Sequence, residues 1–226
     1  MRARTPFLAA IGILLVVALG VLVTIDATDA FDHAVMEFIQ SGGPTGRLRI
    51  LASITELGST GAVTIIAIIC LAIGALVGPW RHGVIGAAVI GLTALGVEVV
   101  KAGVGRDRPE ILDPIVEEHG FSFPSGHATL SMTAYGVLAV LIWRSRIPRP
   151  AKVAATAVVV ALVFVIGVSR VWLGVHFPVD VIAGWLIGAV IVLLYADLTR
   201  GVSREPAAAA VDADPAAPRS DPPAAG

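Results

Sequence analysis

The sequence predicts an all-α fold, a polytopic membrane protein with six transmembrane helices in one bundle. Three observations predict it. Of 226 residues, 56% are hydrophobic and only 15% are charged, whereas soluble domains carry about 25% charged residues. The mean hydropathy is +0.87. The apolar residues also gather into separate runs close to the roughly 20 residues that a helix needs to cross a bilayer.

The runs are Pro6–Thr24, Ala62–Val77, Val84–Val100, His127–Trp143, Ala154–Val168 and Val179–Leu198. The first begins after Arg2 and Arg4 and resembles a signal peptide at its start, but its apolar stretch is long for an h-region, so it reads as an uncleaved span. The second and fifth are short, and their ends are soft. Between the first two runs, Phe31, Val35, Phe38 and Ile39 have helical spacing, with Asp32, His33 and Glu37 among them. That pattern predicts a short amphipathic helix at the interface. Gly42-Gly43-Pro44 should break it, and a further short helix is expected over Leu48–Leu57. Pro148 and Pro150 predict an extended loop over Arg144–Lys152.

Residues 1–200 are expected to form one domain with no internal repeat. Residues 201–226 are Ala, Pro and Asp with almost no large apolar side chain. Such a tail cannot bury enough surface to fold, and it is expected to be disordered. Cys70 is the single cysteine, so no intrachain disulfide can form.

Net charge, −1, says nothing about partners; its distribution says more. With six spans, Arg2, Arg4, Arg81, Arg144, Arg146, Arg149, Lys152, Arg200 and Arg204 share one side. The positive-inside rule makes that side cytoplasmic, with both termini on it. The opposite side holds Arg47, Arg49, Lys101, Arg106, Arg108 and Arg170, four of them in or beside polar motifs. Trp80, Trp143 and Trp172 lie near span ends, the usual place of interfacial anchors.

Three polar clusters interrupt the apolar chain: KAGVGRDRP from Lys101, PSGH at Pro124–His127, and SRVWLGVHFPVD from Ser169 to Asp180. All three fall at the same ends of their spans, so residues far apart in sequence can meet at one depth. Lys101, Arg108 and Arg170 are costly near lipid unless compensated. Glu98, Asp107 and Glu110 are candidates for part of that compensation, and a phosphate matches the arginine forks better. A helix beginning near Ser125 offers free N–H groups to an anion. Gly126 allows close backbone approach, and the Ser125 hydroxyl can cap the helix or contact a ligand.

His176 is followed four residues on by Asp180, a carboxylate able to fix its tautomer and leave the other ring nitrogen as a nucleophile. His127 has no such local carboxylate, and beside an anion its protonated form is favoured, making it a candidate acid. No HExxH or HxxEH motif is present. His82 and His33 read as loop and interfacial residues; His119 lies nearer the polar motifs and is a minor candidate for the rim.

KX6RP, PSGH and SRX5HX3D, in that order, resemble the type 2 phosphatidic acid phosphatase superfamily, in its membrane lipid phosphatase branch. The motifs cover Lys101 to Asp180, and the six-span layout extends the resemblance to about Arg200. It implies a hydrolase that needs no metal or other cofactor and forms a phosphohistidine on His176. Asp180 would orient His176, and His127 would protonate the leaving group. Lys101, Arg108, Ser125, Gly126 and Arg170 would hold the phosphoryl oxygens, with Ser169, Glu98 and Arg106 in support. Trp172 and Phe177 stand where many relatives carry tyrosine.

The implied substrate is a lipid phosphate such as phosphatidic acid, phosphatidylglycerol phosphate, or a polyprenyl phosphate or pyrophosphate. The expected partners are that substrate and membrane lipids, with no nucleic acid. The implied site faces the extracytoplasmic side of the cell membrane. The competing readings are a lipid phosphotransferase using the same histidine and a non-catalytic lipid-phosphate binding or transport protein.

Overall fold

The computed structural model describes residues 4–41, 46–77, 80–110 and 118–202. The described residues are mostly helical, with no strand among them. The helices are α1 (Arg4–Thr24), α2 (Asp29–Gln40), α3 (Gly46–Thr55), α4 (Thr60–Val77), α5 (Trp80–Val104), α6 (Gly126–Arg144), α7 (Arg149–Trp172) and α8 (Pro178–Val202), with a 3₁₀ turn at Glu56–Gly58. Five helices, α1, α5, α6, α7 and α8, are long and apolar enough to cross a membrane. The sixth span arises if Ile50–Gly58 and Thr60–Leu76, bent by 46° at their junction, are taken as one.

The helix α6 lies in the middle, packed against α4, α5, α7 and α8, while α1 lies along α8. Its sequence explains that place. Ala128, Ala134 and Val137 are fully buried, and the hydroxyls of Thr129 and Thr133 return to carbonyls four residues back. Those hydroxyls are hydrogen-bonded locally, so burying them leaves no donor unpaired. The core below the site joins Val63 and Cys70 of α4, Ile90 of α5, Leu130 and Val137 of α6, and Tyr195 of α8. Large apolar side chains such as Leu14, Leu92 and Val158 face outward, as a lipid-bathed surface requires.

Two local expectations change. Arg149–Lys152 is not extended but forms the first turn of α7, with a proline at its start. Proline suits that position because its missing N–H has no intrahelical partner there. His82, expected in a loop, is instead buried within α5. The amphipathic helix forms as α2. Phe31 and Phe38 are exposed, while Asp32 is fully buried beside Met36. The second short helix also forms, as α3. Gly42-Gly43-Pro44 and the tail beyond Val202 lie outside the described residues.

Candidate active site

The three motifs meet at one end of the bundle because each sits at a helix end. Lys101 lies in the last turn of α5, and Gly126 and His127 open α6. Ser169 and Arg170 close α7, and Asp180 lies in the first turn of α8. The start of α6 is tied to α8 directly, since the Ser125 N–H donates to the Asp180 carbonyl at 3.0 Å. The Ser125 side chain, a candidate cap, makes no cap hydrogen bond. Its hydroxyl is buried and has no partner among the described residues, so it is free to donate into the site. A Cβ on Gly126 would stand 3.9 Å from Lys101 Nζ, which measures how near the lysine comes to this helix start.

His176 is 1% exposed. Its Nδ1 lies 3.5 Å from Asp180 Oδ2, an ion-pair distance that is long for a hydrogen bond and of the kind that tightens in a reacting complex. Its Nε2 lies 3.2 Å from Arg108 Nη1. Burial pushes the imidazole down to about 4, against the opposite pull of Asp180. The ring is therefore neutral at ordinary pH, with one nitrogen toward a carboxylate and the other toward an arginine fork.

Arg108 is held by carbonyls: Nη1 donates to Val175 at 2.8 Å, Nε to Gly120 at 2.9 Å and Nη2 to His119 at 3.3 Å. His119 thus contributes its backbone to the rim. Arg170, with no exposed surface, donates Nη1 to Thr55 Oγ1 at 3.1 Å and Nη2 to Glu118. Its Nε has no partner among the described residues. Lys101 pairs with Glu98 at 3.8 Å, although that glutamate is largely exposed. The Ser169 hydroxyl turns away and donates to the Ile166 carbonyl at 2.6 Å.

Two acidic residues emerge that the motifs do not contain. The Glu118 carboxylate hydrogen-bonds Arg170 and lies 3.6 Å from Arg108 Nη2 and 4.0 Å from His127 Nδ1. Burial pulls its carboxyl up, but Arg170, His127 and Arg108 together outweigh this and hold it below its ordinary value. The compensating acid for these arginines is thus Glu118, rather than Asp107 or Glu110, and His127 does have a carboxylate nearby. The second is Asp32 of α2, which accepts from Arg106 Nη2 at 2.8 Å. A charge four residues before Met36, on the face that packs on the bundle, was the available signal for Asp32. Glu118 stands in a charged connecting loop and carried none. The Phe177 ring lies 4.1 Å from the Arg106 guanidinium, a cation–π contact.

Fold and cluster together define a class: a multi-pass helical membrane protein with a buried cationic cradle, already holding a carboxylate, beside two histidines. The family model of the PAP2 superfamily matches residues 82–202. Phosphatidylglycerophosphatase B of Bacillus subtilis is 31% identical over 160 residues, 69% of this chain and 76% of that protein. The crystal structure of a transmembrane PAP2 type phosphatidylglycerolphosphate phosphatase from Bacillus subtilis superposes with a TM-score of 0.76 at 26% identity, covering 87% of this chain and 98% of the other. The undecaprenyl-diphosphatase of Sulfolobus acidocaldarius is 38% identical over 69 residues, 30% of this chain and 29% of that protein. The chain belongs to the PAP2 superfamily, in its branch of membrane-bound lipid phosphatases.

Proposed function

We propose that this chain hydrolyses a phosphate monoester or diphosphate of a membrane lipid through a phosphohistidine on His176. The observation that carries the reading is the buried His176 ring, with Nε2 3.2 Å from Arg108 and Nδ1 3.5 Å from Asp180. A phosphoryl group gripped by Arg108 is brought against that nitrogen. In the first step Nε2 attacks phosphorus, the N–P bond forms and the ester P–O bond breaks. His127 delivers its proton to the departing oxygen. In the second step water attacks phosphorus, His127 takes its proton, and the N–P bond breaks to release phosphate and free His176. Arg108, Arg170 and Lys101, with the Ser125 hydroxyl and the N–H groups at the start of α6, hold the charge that builds on the phosphoryl oxygens.

An apolar groove of about 620 Å³ supports a lipid as the substrate. Val97 and Val100 of α5 line it just below Lys101, and Leu92, Ile187, Ile191 and Leu194 continue it along α5 and α8. A lipid tail can stay in the bilayer along that groove while its phosphate enters the cradle. The names of the relatives agree with phosphatidylglycerol phosphate or a polyprenyl diphosphate as candidates. The charge distribution supports a site on the extracytoplasmic side.

The test is phosphate release by purified protein, in detergent with EDTA and with no added acceptor, across a panel of lipid phosphates. His176→Ala is expected to abolish release while keeping the wild-type elution volume and melting temperature. Turnover by that variant at the wild-type rate would overturn the mechanism. Release only on addition of an alcohol acceptor would make the protein a transferase.

A further inference from the structure

Asp180 has partners beyond His176, and they lead out of the site to the surface helix α2. Its Oδ2 faces His176 and accepts the Phe177 N–H at 2.9 Å. Its Oδ1 accepts from Arg106 Nη1 at 2.8 Å. The other end of the same fork, Nη2, donates to Asp32 Oδ2 at 2.8 Å and reaches Thr28 Oγ1 at 3.3 Å and Asp29 Oδ1 at 3.5 Å. Asp32 Oδ1 in turn accepts the Val179 N–H at 3.0 Å, one residue before Asp180. Asp32 and Asp180 are both fully buried.

The geometry has a chemical consequence. A carboxylate held by one oxygen can swing about its last torsion, whereas one gripped at both oxygens cannot. Arg106 fixes Oδ1 and thereby fixes the direction of Oδ2, the atom that faces the imidazole. The fork is itself fixed, because its second nitrogen is committed to α2 and its face lies on Phe177. Asp32 also takes up an N–H from the first turn of α8 that has no intrahelical partner, which sets the helix start from which Asp180 projects. Without Arg106, two buried carboxylates would share one pocket with no cation between them, an arrangement costly enough to expel or protonate one of them.

We propose that Arg106 and Asp32 are positioning residues for the nucleophile, an Asp32–Arg106–Asp180 chain through which α2 holds the His176 ring in its reactive tautomer. The proposal rests on the phosphohistidine reading of His176. It makes α2 part of the catalytic assembly as well as a surface element.

The experiment uses the full chain in detergent as wild type, Arg106→Met, Arg106→Lys, Asp32→Asn, Asp180→Asn and Arg106→Met/Asp180→Asn, each checked by thermal melting. kcat and KM are measured on a lipid phosphate that the wild type hydrolyses. Imidazole nitrogen–proton spectra are recorded on protein labelled at histidine, with the His176 signal identified by its loss in His176→Gln. Arg106→Met is expected to lower kcat about 100-fold with KM within about threefold. Arg106→Lys should recover about tenfold of that, and Asp32→Asn should lose about tenfold. The double variant should be no more than about twofold worse than Asp180→Asn, because both changes disable one device. In the spectra, His176 should carry its proton on Nδ1 in the wild type and show mixed tautomers in Arg106→Met.

A folded Arg106→Met with wild-type kcat and an unchanged His176 spectrum overturns the proposal. So does a loss confined to KM, which would make Arg106 a phosphate ligand. If Arg106→Met fails to fold, Asp32→Asn and Arg106→Lys decide by the same two readouts. If the wild type releases phosphate from no lipid, the phosphatase reading fails, and the His176 tautomer alone decides whether Arg106 positions the ring.

Discussion

A buried imidazole that is to receive a phosphoryl group must be neutral when the substrate arrives, and burial secures this for His176. Its ordinary value is 6.5 and burial moves it down to about 4. A nucleophile at His176, as proposed, would therefore be active above about 4 and lost as pH falls through that value. The limb of the kcat/KM profile owed to His176 is expected at that acidic position, and a profile with no limb there would argue against a neutral His176 as the attacking group. Stability carries the matching sign. Between 6.5 and 4 the unfolded chain takes up the proton that the folded ring refuses, so the melting temperature should fall on acidification across that window. Glu118 is the second residue with a prediction. Its carboxylate bonds to Arg170 and approaches Arg108, groups that a phosphoryl oxygen would use. Glu118→Gln removes a competing charge from the cradle, and inorganic phosphate should inhibit that variant about tenfold more tightly. An unchanged inhibition constant would mean that the carboxylate does not compete for the cradle.

At the scale of elements, the site depends on how closely α6 and α8 approach. A Cβ on Gly184 of α8 would stand 2.9 Å from the Ser125 carbonyl oxygen and 3.0 Å from the Ala128 Cβ. Both are backbone or near-backbone atoms at the start of α6 and cannot step aside. Gly184→Ala should therefore push Ser125, Gly126 and His127 off the Asp180 side. The expected cost is about 1–3 kcal/mol of stability and at least tenfold in kcat, read by melting and by turnover. Gly91→Ala, where an added Cβ meets nothing within 4 Å, should leave activity unchanged and gain up to about 1 kcal/mol in helix propensity. The existence of each helix was legible from apolar runs, but this approach was not, because a glycine in a hydrophobic run looks the same whether it faces lipid or another helix. The buried face of α2 was not legible for a related reason. Its apolar pattern named Phe31 and Phe38, which point outward, and a buried Asp32 makes sense only once Arg106 stands opposite it.

Across the whole molecule, the motif residues lie at one end of the bundle, and a mainly apolar groove lies between α5 and α8, with Val97 and Val100 at its end nearer Lys101. If the groove seats a tail, shortening the lipid should weaken kcat/KM steadily, by up to about 0.8 kcal/mol for each methylene withdrawn from it. A series of phosphates with graded chain length, assayed below saturation in one detergent, measures this. A flat series would separate the groove from the reaction and leave the cradle as the sole recognition element. The same view explains why seven side chains from Lys101 to Asp180 could be expected at one end of the bundle: polar motifs at span ends have only the two membrane surfaces to occupy.

What the sequence determined by itself is the class of object and the chemistry of its motifs. Long apolar runs must be helices, because unpaired backbone cannot be left in lipid. Lysine, arginine and histidine at their ends put the polar motifs at a membrane surface, where the proposed phosphate site lies. What only the tertiary structure decided is the wiring between those residues. Glu118 meets Arg170, and Asp32 meets Arg106, across separations that no local period records. A buried ion pair is chosen by which elements pack together, whereas a span is chosen by the solvent that surrounds it.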